Sequence, residues 1–138
     1  MPVYTCTTAE DNLTAEQKSG VAGEITRIHS EVTGAPASFV HVVFQEVPAG
    51  DIYTNARPSR HLLVSGLTRA GRADAEKQRL ARDISSAVCR TTGIPEERIL
   101  VAITDVPARF TVEGGRFLPE PGLEGDWLAV TDSGVPSD

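Results

Sequence analysis

The chain repeats itself. Thr33-Gly34-Ala35-Pro36 returns 59 positions later as Thr92-Gly93-Ile94-Pro95, and Val47-Pro48-Ala49 returns at the same offset as Val106-Pro107-Ala108. Lys18, Ala22, Ile25 and Val42 meet Lys77, Ala81, Ile84 and Val101 in the same register. The 138 residues fit one ordinary domain and leave no room for two. A repeat inside that length is therefore one supersecondary unit used twice around a shared core. The expected organisation is a single domain over 1–138, with halves at 2–60 and 61–119 and a tail at 120–138.

Each half opens on a β-rich run, Val3 to Thr7 and Leu62 to Leu67. A helical stretch follows. Thr14-Ala15-Glu16-Gln17 fits a capping box, and Val21, Ile25, Ile28 and Val32 then recur at helical spacing until Gly34 and Pro36 stop the helix. The second helix has Asp74 as its expected cap, Leu80, Ile84 and Val88 on its buried stripe, and Gly93 and Pro95 at its end. Strands from Phe39 to Glu46 and from Ile99 to Thr104 complete two β-α-β units. These predict an α/β (α+β) fold, a four-stranded sheet with two helices on one face. Val40, Val42, Phe44, Ile99, Val101 and Ile103 should face the helices. Phe39, His41, Val43, Leu100 and Ala102 should line the other face, which is too apolar for water and predicts a homo-oligomer. Pro48 to Arg60 reads as a loop with a short turn, and Gly114-Gly115 as a tight hairpin between Phe110 and Phe117. The acidic tail after Pro119 is expected to order only against a partner, with Trp127 and Leu128 as anchors.

Charge narrows the function. The formal net charge is −6, so the long-range field repels nucleic acid and anionic membranes, and neither is expected as a partner. No stretch approaches the about 20 apolar residues of a membrane span. Cys6 and Cys89 form no CxxC pair, and with three histidines far apart no metal and no cofactor are expected. The amino-terminal residues lack a secretory pattern, so reduced thiols in the cytoplasm are the expectation.

Five residues could carry chemistry. Pro2 would present a secondary amine if Met1 were removed, and a free α-amino group titrates near about 8, although Met-Pro is also a common opening without meaning. His29 borders the apolar stripe of the first helix, where a histidine is by default a core residue and otherwise a donor to a carboxylate. Arg69 and Arg72 flank Gly71 in GLTRAGR. Two guanidinium forks three residues apart can clamp one carboxylate, yet eleven of the thirteen basic residues are Arg, so a solvated pair is equally ordinary. Glu113 is a hairpin residue that, near an amine, could activate water.

Taken together, Pro2, the duplicated β-α-β units, His29, the Arg69/Arg72 pair and the stretches PVYTC, FQEVPAG, GLTRAGR and GRFLPEPG resemble the tautomerase superfamily, and within it the cis-3-chloroacrylic acid dehalogenase group. The resemblance runs from Pro2 to about Trp127. It implies a homotrimer acting on a small carboxylate, with Pro2 as acid/base, His29, Arg69 and Arg72 holding the carboxylate, and Glu113 activating water. The sequence departs from that group where a tyrosine that helps position the water is replaced by Ala102, and where Gly114 follows the glutamate. Keto-enol tautomerisation with weak dehalogenase or hydratase activity is thus expected ahead of hydrolytic dehalogenation. A non-catalytic, ferredoxin-like ligand-binding module remains the alternative of a different class.

Overall fold

A computed structural model of the chain describes residues 1–132. Strands β1 (Val3–Ala9), β2 (His41–Val47), β5 (Leu62–Arg69) and β6 (Ile99–Val106) form the main sheet, with β3 (Tyr53–Thr54) and β4 (Arg57–Pro58), and β7 (Val112–Glu113) and β8 (Arg116–Phe117), making two small hairpins. Helices α1 (Ala15–Thr33) and α2 (Asp74–Thr92) connect the parallel strands of each half, and α3 (Glu124–Asp132) ends the described chain. The sheet order is β2-β1-β5-β6. β1 runs parallel to β2 and β5 parallel to β6, while β1 and β5 pair antiparallel at the centre. The two β-α-β units expected from the repeat are thus joined back to back.

Local chemistry explains the elements. Thr14 caps α1 through the Gln17 amide while the Gln17 side chain accepts from the Thr14 amide, which closes the capping box. Both long helices end on a glycine at φ 77°, Gly34 and Gly93, in the left-handed region that disfavours any side chain with a Cβ. Val21, Ile25 and Ile28 of α1 and Leu80, Ile84, Ala87 and Val88 of α2 pack on Tyr4, Cys6, Leu62 and Val64 of the central strands. Val40, Val42, Phe44, Ile99, Val101 and Ile103 pad the margins of that core as expected. On the opposite face Val43, Leu67 and Leu100 are exposed.

Several local expectations are corrected. α2 is not capped by Asp74; Ala73 occupies the cap without a side-chain hydrogen bond, and Asp74 begins the helix, where its charge favours the positive end of the dipole. Phe39 belongs to a 3₁₀ turn over Ala37–Phe39 rather than a strand, and is buried rather than on the open face. β5 extends two residues past Leu67, so Arg69 ends a strand instead of riding a loop. The tail does not wait for another chain. It folds as α3 against its own domain, because the Trp127 indole N–H donates to the Phe117 carbonyl at 2.9 Å and its ring meets Phe39 edge-on at 5.5 Å. Residues 133–138 lie outside the described residues.

One glycine shapes the site. Gly66 pairs with Tyr4 across the β1–β5 ladder, and a Cβ there would stand 2.6 Å from the Tyr4 ring. The absent side chain leaves the space the Tyr4 ring occupies. Gly66→Ala is expected to displace Tyr4 and cost about 1–3 kcal/mol of unfolding free energy, as overpacking does, which chemical denaturation would measure.

Candidate active site

Antiparallel pairing of β1 with β5 decides where the candidate residues go. Val3 lies opposite Leu67, so the amino terminus stands at the end of the sheet where β5 delivers Thr68 and Arg69. The start of β2 joins them, since the His41 amide donates to the Pro2 carbonyl at 3.0 Å. The fold therefore brings the chain start, Arg69, Arg72 and His29 to one end, and β7 adds Glu113 there.

At the chain start the Met1 ammonium contacts Glu113 Oε1 at 2.6 Å, while Glu113 Oε2 meets His41 Nε2 at 2.5 Å. Partial burial pushes the Glu113 carboxyl up, but hydrogen bonds from the terminal ammonium and from His41 outweigh it and hold the group below the usual carboxylate value. Met1 itself is buried against Val106, Ala108, Leu118 and Trp127. Pro2 is buried beside it, its nitrogen in the Met1–Pro2 peptide bond.

His29 is fully buried, and its Nδ1 shares a 2.8 Å hydrogen bond with the Tyr4 hydroxyl. Burial, Arg72, Arg69 and the amino terminus, in that order, push its pKa down from 6.5 to about 3, so the ring is neutral near pH 7. Tyr4 moves the other way: burial raises it above its ordinary value, with a smaller opposing pull from Arg72, and it keeps its proton. Arg69 is buried whole. Its Nη1 donates to the Pro119 carbonyl at 2.7 Å, its Nη2 meets Glu124 Oε1 at 2.5 Å, and its guanidinium sits 5.5 Å from the centre of the Phe39 ring. Arg72 turns back to donate to the Arg69 carbonyl at 3.1 Å. Burial first, and then the nearby Arg69, lower its pKa, against the pull of Glu124 and Glu76.

Three of these side chains share one feature. His29 Nε2, Arg69 Nε and Arg72 Nη2 are buried without a hydrogen-bond partner among the described residues, a costly condition that a native structure keeps only for a reason. A cleft of about 240 Å³ lined by Thr33, Gly71, Arg72, Ala73, Glu76, Pro121 and Gly122 reaches Arg72 from outside. Two other clefts, of about 300 Å³ between α1 and α2 and about 310 Å³ beside β3 and β4, hold none of the candidate residues.

Sequence reasoning missed three participants. Tyr4 sits two residues after Pro2 with the same inward parity, a signal that was available. His41 was placed on the open face without a role. Glu124 carried no signal at all, since nothing in its neighbours' spacing pairs it with Arg69. Among the described residues no group of three or more His, Cys, Asp or Glu could hold a metal ion. Both cysteines are free, and burial pushes the Cys6 thiol up to about 12, which leaves it unreactive.

Comparison with known proteins identifies the family. The family described as putative oxalocrotonate tautomerase enzyme matches residues 1–131. The chain belongs to this tautomerase family. A solved structure described as N1, a member of the cis-3-chloroacrylic acid dehalogenase family, is 28% identical over 97% of this chain and 92% of its own, with a TM-score of 0.91. Another, a protein inactivated by 2-oxo-3-pentynoate, is 25% identical over 84% of this chain and 94% of its own, with a TM-score of 0.78. A probable tautomerase of Lactococcus lactis is 48% identical over 40 residues, 29% of this chain and 66% of the relative. One of Bacillus cereus is 38% identical over 50 residues, 36% of this chain and 82% of the relative. These curated relatives are thus less than half as long as this member of the family, about the size of one of its two repeats.

The buried histidine makes the fold acid-sensitive. Because the native pKa of His29 lies below its unfolded value, the unfolded chain binds the extra proton between about pH 6.5 and 3, and stability falls as pH falls through that window. From pH 7 to 5 this single group should remove about 2 kcal/mol. Urea unfolding of the wild type and of His29→Gln at the two pH values should show that slope in the first and its loss in the second.

Proposed function

We propose that the mature chain begins at Pro2 and is an enzyme that uses the Pro2 amine as acid/base on small unsaturated or 2-oxo carboxylates, chiefly in keto-enol tautomerisation. The observation that carries this reading is the set of buried donors without partners, His29 Nε2, Arg69 Nε and Arg72 Nη2, at the end of the sheet where the chain starts. A carboxylate is the partner they lack, and charge-assisted hydrogen bonds to it offset their burial. Loss of Met1 would free the pocket its side chain now fills among Val106, Ala108, Leu118 and Trp127, which has the apolar walls an organic substrate needs.

The geometry supports a role for each. With Tyr4 donating to Nδ1, His29 carries its proton on Nε2, and we assign that tautomer as the one that donates to the substrate carboxylate. Its depressed pKa keeps it a neutral donor, so it adds no third cation beside the arginines. Tautomerisation then needs Pro2 neutral, to take a proton from the enol hydroxyl and return one to carbon. The nearby guanidinium charges favour that neutral form, whereas Glu113 favours the protonated one.

A second reading, hydrolytic dehalogenation of cis-3-chloroacrylate, is favoured by the similarity to the N1 protein. It requires Glu113 to activate water. Once Met1 is lost, His41 still engages Glu113 Oε2 and favours the ionised, weakly basic carboxylate, and Ala102 offers no hydroxyl to help. We therefore rank dehalogenation and hydration as weak side activities.

Two measurements test this. The purified protein, its N-terminal residue established by mass spectrometry, should ketonise phenylenolpyruvate faster than it releases chloride from cis-3-chloroacrylate, with Pro2→Ala lowering kcat/KM by about 10²–10⁴. The reverse order of activities would install the second reading, and a retained Met1 would leave a ligand-binding module. We also propose a homotrimer closed over the open sheet face, where Val43, Leu67 and Leu100 are exposed. Light scattering should give three times the chain mass, and Leu100→Lys should dissociate the assembly.

A further inference from the structure

We propose that Glu124 is a specificity-determining residue: by pairing with Arg69 it leaves the cradle one uncompensated cation, so that the site accepts a monocarboxylate and rejects a dicarboxylate. This rests on the reading of the cradle as a carboxylate site.

Glu124 is part of the built structure. Its side chain is 11% exposed and that of Arg69 is 0% exposed, and they meet at 2.5 Å. The second oxygen, Oε2, accepts the Gly122 amide at 3.0 Å, so the carboxylate is held from two sides. Partial burial pushes the Glu124 carboxyl up, but Arg69 and the backbone amides more than compensate, and the group stays ionised. The helix that carries it is pinned separately. Arg116 lies 3.7 Å over the Trp127 ring and donates to the Trp127 carbonyl at 3.2 Å, and the indole N–H reaches Phe117.

Counting charges then gives the selectivity. Arg69 is cancelled by Glu124, while His29 is neutral and so is the Pro2 amine of the tautomerase reading. Arg72 remains. Glu76 is 4.0 Å from its Nε and 45% exposed, so water screens most of that attraction, and Glu124, which also acts on Arg72, is already bonded to Arg69. Among the described residues at this end of the sheet, one cation without a close counter-ion matches one carboxylate. A second carboxylate on the same small ligand would add a charge for which every other cation at the site is already matched, with Glu124 and Glu113 close by.

The test compares two ligands with the same carbon–carbon double bond, acrylate with one carboxylate and fumarate with two, by calorimetric titration of the purified protein. Wild type should bind acrylate at least about tenfold more tightly than fumarate, and Glu124→Gln should move that ratio toward fumarate by at least about tenfold, the scale of one charge in a partly buried site. A merely structural role for Glu124 would weaken both ligands alike and leave the ratio unchanged. Fluorescence of Trp127, the single tryptophan, reports whether α3 stays docked. A docked variant with an unchanged ratio overturns the proposal, as does a wild type that prefers fumarate. If the variant releases α3, the wild-type preference decides, acrylate sustaining the proposal and fumarate overturning it. A wild type that binds neither ligand would refute the carboxylate cradle itself, and this inference with it.

Discussion

The antiparallel ladder between β1 and β5 is the constraint from which the rest follows. Two parallel β-α-β units carry no information about where their ends meet until they are joined, and the pairing of Val3 with Leu67 joins them head to tail. That one register sets the chain start level with the end of β5, the strand that carries Arg69. It also sets Tyr4 against Gly66, which gives the phenol room to reach the α1 histidine. A slip of one residue would turn Tyr4 and Cys6 out of the core and dissolve the site together with the packing.

Burying two arginines and a histidine at one place is expensive, and the molecule handles each differently. Arg69 receives a full counter-charge from Glu124 and a carbonyl from Pro119. Arg72 receives a carbonyl and a distant carboxylate, while burial and then the neighbouring Arg69 lower its pKa. His29 is kept neutral and held by a phenol. The result is a graded set of donors rather than a uniform basic patch, which suits orienting a small anion better than merely attracting one.

Most of the fold could be read from residues that obey local rules. Thr14 with Gln17, Gly34 with Gly93, and the apolar stripes of α1 and α2 announce themselves because capping, left-handed backbone and helical periodicity are short-range effects. The errors occurred where long-range contacts override composition. Residues 120–132 look like an acidic, Gly/Pro-rich tail, but Trp127 finds Phe39, and Glu124 finds Arg69, across distances in sequence that no window spans. Asp74 looked like a cap because Asp often is one, while Ala73 takes the extended backbone that the position needs. Of the candidate residues, Arg69 and Arg72 were visible as a pair, yet their unequal pairing depends wholly on α3.

The central claim is that the end of the sheet carrying the chain start is a carboxylate site built on His29, Arg69 and Arg72. A crystal structure of the processed protein with bound acrylate tests it most directly. The account predicts the ligand's carboxylate within hydrogen-bond distance of His29 Nε2 and Arg72 Nη2, with its double bond beside the Pro2 nitrogen. A carboxylate bound elsewhere, or those two donors satisfied by other protein groups with no room between them and Pro2, would contradict it.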